Sequence, residues 1–217
     1  MLNMDFHQRV VIETVSMDWV LSPAPGVLRK PLAREEKERG HATSIVRYEP
    51  GSRFKSHGHP LGEEILVLDG VFSDESGSYG PGMYFRNPPG SSHAPFSEEG
   101  CLLFVKLHQF QAEDTAHVAI DTHGAQWLPG QGGLTVLPLH SFGGENVALV
   151  RWPAGERFQP HRHHGGEEIL VLEGELVDEH GRYPAGTWIR SPHNSEHFPY
   201  TEKETLIWVK TGHLGID

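Results

Sequence analysis

GSRFKSHGHPLGEEILVLDG at residues 51–70 returns as GERFQPHRHHGGEEILVLEG at residues 155–174, and each copy carries His-x-His-x3-Glu. Repetition is read first because it sets the architecture before any single residue does. Sliding one half over the other by 104 positions aligns 51–106 with 155–210 without a gap, and 27 of those 56 positions are identical. His57, His59 and His93 fall on His161, His163 and His197. With the offset relaxed to 108, Ile12, Thr14 and Trp19 meet Ile120, Thr122 and Trp127. The four-residue difference sits in the polar run 33–41, as expected of a surface loop. The chain therefore divides into two modules, 1–112 and 113–217, each within the usual size of a domain with its own core.

Composition narrows the class. At 217 residues and 37% hydrophobic the chain has the make-up of a soluble globular protein. No apolar run approaches the ~20 residues a membrane helix needs, and MLNMDFHQRV lacks the charged start and apolar core of a secretory signal. The single cysteine, Cys101, excludes an internal disulfide and fits a reducing, cytoplasmic setting. A formal charge of −11 without a basic stripe argues against nucleic-acid partners. Histidine is over-represented, with 16 copies dispersed along the chain rather than gathered in a tag.

Glycine and proline punctuate the sequence at the spacing of short strands joined by turns. The runs between them, such as TSIVRYE (43–49), EEILVLDGVF (63–72) and CLLFVKLHQF (101–110), are rich in β-branched and aromatic residues, and the second half repeats them. Asp74–Gly77 and Asp178–Gly181 read as hairpin turns. The expectation is an all-β fold of two small antiparallel barrels or sandwiches. One stretch, LAREEKERG at 32–40, reads as a helix or equally as a charged loop.

Side chains on a strand alternate faces, so His57, His59 and Glu63, spaced by two and four, can point the same way. Glu64 is out of phase and should point elsewhere, provided that no bulge at 60–62 swaps the two glutamates. His93 approaches from another strand. His161, His163, Glu167 and His197 have the same spacings. Three imidazoles and a carboxylate suit Zn, Fe(II), Mn, Ni or Cu and disfavour Ca and Mg. Two matched four-residue sets make metal ligation a better reading than hydrogen-bonded core histidines.

These blocks resemble the two cupin motifs. Residues 51–70 read as G-x5-H-x-H-x3-E-x6-G, and GMYFRNPPGSSH (82–93) reads as G-x5-P-x-G-x2-H. In GTWIRSPHNSEH (186–197) Asn194 replaces the motif glycine, and asparagine tolerates the left-handed backbone that such a turn needs. The chain looks like a bicupin, two tandem jelly-roll barrels. The pattern GEEILVLxGxxxDExGxYxxGxxxRxP is narrower and resembles the cupin-like domain of the ChrR anti-sigma factor family. That resemblance implies zinc on His57, His59, Glu63 and His93, with Fe(II), Mn or Ni also suiting the donors. It also implies a cysteine- and histidine-bearing anti-sigma segment, but the first 40 residues hold no cysteine and one histidine. A sigma-factor partner is therefore not expected of this chain.

Among other residues, Arg53/Arg157 and Arg86/Arg190 are read as ion-paired before they are read as anion holders. Tyr79/Tyr183 are read as caps of the Asp-Glu hairpins, and Cys101 as a buried inert thiol. His164 and His193 are weaker alternatives to the ligands beside them. Three functions follow from the resemblance. The first is a ChrR-like regulatory or oxidant-sensing module answering a small-molecule or oxidant signal. The second is a metal-dependent dioxygenase of small dicarbonyl-type substrates, and the third a binding protein without chemistry. Homo-oligomers formed by pairing strand edges are compatible with the sequence.

Overall fold

The computed structural model of the chain describes residues 1–36 and 39–215. Among them every regular element is a β-strand except one 3-10 turn, Thr14–Ser16. No helix is long and apolar enough to cross a membrane. The β-branched and aromatic runs become the central strands, Ala42–Tyr48, Glu63–Gly70, Met83–Asn87 and Cys101–Leu107. Their copies are Glu145–Trp152, Glu167–Glu173, Thr187–Ser191 and Thr205–Thr211.

Of the two readings of 32–40, a helix or a charged loop, the described residues show no helix. Leu32, Ala33 and Arg34 finish the strand Val27–Arg34, which pairs with Ala42–Tyr48. Glu35, Glu36, Arg39 and Gly40 are bends, and residues 37 and 38 lie outside the described residues. A nine-residue helix has too few turns to offset its nucleation cost, whereas the strand buries Leu32 and Ala33 to 0% and 1% exposure.

The chain folds as two compact units, each built on a seven-stranded antiparallel sheet. In the first unit the sheet runs Val118–Asp121, Met83–Asn87, Glu63–Gly70, Cys101–Leu107, Ala42–Tyr48, Val27–Arg34, Val20–Leu21. In the second it runs Val10–Glu13, Thr187–Ser191, Glu167–Glu173, Thr205–Thr211, Glu145–Trp152, Thr135–Phe142, Leu128–Pro129. The order is the same, but the units are not the contiguous halves 1–112 and 113–217. Residues 5–16 belong to the second unit, and 17–125 with 1–4 form the first. Val10–Glu13 pairs with Thr187–Ser191, and its repeat Val118–Asp121 pairs with Met83–Asn87. Each repeat thus lends its first strand to the other repeat's sheet, covering an edge that would otherwise be left open.

In the first unit a smaller sheet of Ser52–Arg53, Phe96–Ser97, Phe72–Asp74 and Gly77–Tyr79 faces the large one. The core holds Ile65, Val67, Phe85, Leu103 and Val105 from the large sheet and Phe72 from the small one. In the second unit Ile169, Val171, Leu176, Ile189 and Ile207 form the equivalent core with Trp152. Each such side chain contributes about 1.5–3 kcal/mol by leaving water. The fold is the all-β cupin jelly roll, as expected, with open sheets facing one another rather than hydrogen-bonded closed barrels. The glycine ending motif one, Gly70 or Gly174, sits at φ 69° or 76° with a carbonyl where a Cβ would stand, so no larger residue fits.

Candidate metal centres

In the first unit Pro60 and Leu61 form a turn and the strand restarts at Glu63, so the two glutamates keep the phase read from sequence. Glu63 faces the histidines, while Glu64 accepts from Arg86 Nη1 at 3.1 Å. His57 and His93 are direct cross-strand partners in a two-stranded ribbon. His59 follows the same ribbon, and its ring centroid lies 4.7 Å from that of His93 and 5.1 Å from that of His57. Glu63 Oε2 lies 3.4 Å from His59 Nε2 and 3.5 Å from His93 Nε2. One ligand atom from each of His57, His59, Glu63 and His93 falls within 4.8 Å of the others.

The second unit repeats the set. His161 and His197 are cross-strand partners, and Glu167 Oε2 lies 3.4 Å from His163 Nε2 and 3.6 Å from His197 Nε2. Again all four ligand atoms, from His161, His163, Glu167 and His197, lie within 4.8 Å. The structure therefore brings together all eight residues read as ligands. Asn194 takes the left-handed backbone expected of it, at φ 60°.

A metal ion fits both sets. The Nε2 atoms of His59, His93, His163 and His197 are buried without a hydrogen-bond partner, a costly state for polar atoms unless a cation receives their lone pairs. The other ring nitrogens are held from behind. His57 Nδ1 meets the Lys55 carbonyl at 3.1 Å, His59 Nδ1 meets Ser91 Oγ at 3.1 Å, and His93 Nδ1 meets Asp74 Oδ2 at 3.2 Å. Asn87 Nδ2 donates to Glu63 at 3.1 Å. Such partners fix the tautomer that leaves Nε2 facing the ion. The sequence reading took Asp74 and Asp178 for turn residues only. Their recurrence at offset 104, paired with the distal histidines, was the available signal.

Electrostatics prepare the second centre. Burial pushes the His163 pKa down to about 3 and lowers that of His161, so both rings are neutral donors. His59 is lowered likewise by burial. At His197 burial pulls the other way but loses to the Asp178 hydrogen bond and the Glu167 charge, and the net shift is upward. Asp178 falls to about 2. Burial opposes that shift, and hydrogen bonds from His197, Tyr183 and the His180 backbone outweigh it. Glu167, stripped of water, rises to about 7. Below that pH an entering cation must displace a proton from Glu167, so affinity should fall about tenfold per pH unit from this group alone. Competition with a chromophoric chelator between pH 8 and 6 measures this, and a flat affinity would refute the buried-carboxylate account.

The two centres differ in the space beside them. His57, His59 and Glu63 line a cavity of about 900 Å³ with His57 exposed, whereas the second set borders only about 240 Å³ walled mainly by apolar side chains. Arg86 does not face the first cavity. It is buried with Glu64 and with Asp114 at 2.6 Å. Arg190 bonds the Asp5 carbonyl at 3.0 Å. Arg53 pairs with Glu98, and Arg157 lies 4.5 Å over Tyr200. Tyr183 donates to Asp178 at 2.6 Å and Tyr79 to Asp74 at 3.4 Å, the hairpin caps expected. Cys101 is buried with its pKa raised to about 11, an inert thiol. His193 Nδ1 is taken by the Gly165 N–H at 2.8 Å and is not part of the ligand set.

Similar proteins agree with this picture. The chain is 36% identical over 81 residues to the anti-sigma-E factor ChrR of Cereibacter sphaeroides, which is 36% of this chain and 37% of that protein. It thus spans little more than a third of that relative. Its fold superposes on YlbA of E. coli (TM-score 0.74, 15% identity, covering 100% of this chain and 95% of that one). A Cupin 2 conserved barrel domain protein from Leptotrichia buccalis gives TM-score 0.65 at 11% identity, covering 97% and 99%. A mutant of Bacillus subtilis oxalate decarboxylase gives 0.64 at 13%, covering 93% and 76%. At these identities the likeness shows the fold alone. The family model of the ChrR cupin-like domain matches residues 7–111 and again 115–215, and the chain belongs to that family, carrying its domain twice.

Proposed function

We propose that each unit binds one divalent transition-metal ion, that the second ion is structural, and that the first serves small-molecule chemistry. The observation that carries this is the contrast in room, about 900 Å³ beside His57, His59 and Glu63 against about 240 Å³ in the second unit. A small organic ligand needs some 300–1,000 Å³. Three histidines and one glutamate leave coordination positions open on a five- or six-coordinate ion. Bound there, Fe(II) or a similar ion would supply O2 activation, and zinc would supply Lewis acidity alone. The chain's own part is positional. Asp74 orients His93, Asn87 holds Glu63, and the walls of Val27, Val46, Ile65 and Phe72 keep bulk water from the reacting groups.

A metal-dependent dioxygenase of small dicarbonyl-type compounds is the reading this geometry favours, with zinc assigned to the second centre. The likeness to ChrR supports a second reading, an oxidant-sensing regulatory module working through loss of metal. Protein loaded with Fe(II) or with zinc, followed for O2 consumption with β-dicarbonyl and flavonol-like compounds, separates the two. We expect turnover with Fe(II), abolished by Glu63→Ala and retained in Glu167→Ala. Absence of turnover with either metal, together with metal release on oxidant treatment, would transfer the function to the regulatory reading.

A further inference from the structure

Resting on the reading of the first centre as a site of small-molecule chemistry, we propose that His108 is its proton acceptor, taking a C–H proton from an enolisable 1,3-dicarbonyl substrate. His108 follows the strand Cys101–Leu107, whose Leu107 is the register partner of the ligand Glu63. Its amide donates to the Gly62 carbonyl at 2.9 Å, which fixes it beside the start of the ligand-bearing strand. His108 is half-buried and lines the first cavity together with His57, His59 and Glu63. Among the described residues its ring nitrogens have no hydrogen-bond partner, so they are free for a bound molecule.

The second repeat has Gly212 at the same place, at φ 76° and donating to the Gly166 carbonyl at 3.1 Å. A Cβ there would collide with the Gly144 carbonyl, so that repeat admits no side chain. His108 sits at φ 60°, a conformation that glycine takes freely and other residues take at a cost. Costs of this kind gather where a side chain is used. Metal ligation is not that use, since the second unit assembles the same four ligands with a glycine at this position. The imidazole goes with the larger cavity.

Removal of a C–H proton needs a base within reach of the bound substrate. Glu63, the one carboxylate lining the cavity, belongs to the ligand set and accepts from Asn87 at 3.1 Å. His57 and His59 are ligands too, which leaves His108 as the lining imidazole outside the set. A 1,3-dicarbonyl matches the rest of the cavity. Its two oxygens suit open coordination positions, and an apolar body suits the buried walls of Val27, Val46, Ile65 and Phe72. In the step, the C–H bond between the two carbonyls breaks and its electron pair spreads over both oxygens as the enolate. The proton passes to the ring nitrogen of His108 that carries the lone pair. No oxidant or reductant is consumed, and water takes the proton from His108 afterwards.

Deuterium exchange at C3 of 3-methylpentane-2,4-dione tests this, followed by proton NMR in D2O with the full chain loaded with zinc, so that no O2 chemistry intervenes. Zinc content is measured in every sample. We expect the wild-type chain to speed exchange over free zinc at equal concentration. His108→Gly installs the second repeat's residue at a φ that suits it, so the fold should survive. Its exchange should fall at least about tenfold, with zinc content unchanged. His108→Gln, similar in reach but without a basic nitrogen, should fall alike, which a merely space-filling histidine would not give. Free imidazole should restore exchange in His108→Gly and leave His108→Gln as it is. A smaller fall, full exchange in His108→Gln, or no restoration by imidazole would each overturn the role of His108 and leave the small-molecule reading standing. Wild-type protein that holds zinc without speeding exchange would overturn that reading, and this inference with it.

Discussion

Alanine at both His57 and His59 should lower the metal content from two equivalents per chain to one, with the remaining ion in the second unit. Removing two of four donors leaves His93 and Glu63, too few to hold a borderline transition metal against water. The second set draws all its ligands, and the Asp178 behind His197, from within its own unit. It should therefore be indifferent to the change. The mirror variant, His161→Ala with His163→Ala, should also leave one equivalent, but with a larger loss of stability. A structural ion adds its binding free energy to folding, and the second set has the smaller cavity beside it, with His161 half-buried where His57 is exposed. Elemental analysis of reconstituted protein, with thermal denaturation of each variant, gives both numbers. Wild-type protein that takes up at most one equivalent would contradict the two-centre reading, and equal destabilisation by the two variants would contradict the division of roles.

Much of this site was legible because its signals are local. A period of two on a strand decides which of Glu63 and Glu64 faces the histidines, and a turn at 60–62 leaves that phase intact. Asn194 was readable as a left-handed turn residue from its side chain alone. What stayed hidden depended on partners distant in sequence. Val10–Glu13 and Val118–Asp121 are copies of one another, so either could have completed either sheet, and no pattern within them says that they exchange. Leu32–Arg34 were read with the charges that follow as a helix or a loop, and the strand prevailed because Ala42–Tyr48 lies ready to pair. Two residues lining the first cavity escaped notice for a related reason. Arg29 and Arg34 precede the gap-free alignment, and only the strand register shows that Val136 and Ser141 stand in their places.

Arg86→Ala should destabilise the first unit by about 3–5 kcal/mol, the usual result of deleting one partner from a buried ion pair. Arg86 is 0% exposed and lies between Glu64 at 3.1 Å and Asp114 at 2.6 Å, with Phe110 stacked 4.0 Å from its guanidinium carbon. Glu64 and Asp114 are themselves 3% and 2% exposed. The variant takes from two desolvated carboxylates the guanidinium they share, and a domain's whole stability is only ~5–15 kcal/mol. Arg86→Lys should recover part of the loss, since an ammonium keeps the charge but cannot fork between two acceptors. Arg86 also sits on the strand whose next residue, Asn87, holds Glu63. The same substitution should therefore weaken metal binding at the first centre while leaving the second loaded. Urea denaturation read beside metal content tests both halves. A loss below about 1 kcal/mol would place this cluster with exposed pairs that contribute little. A large loss with full metal occupancy would show that the outer charge cluster and the metal centre are energetically separate.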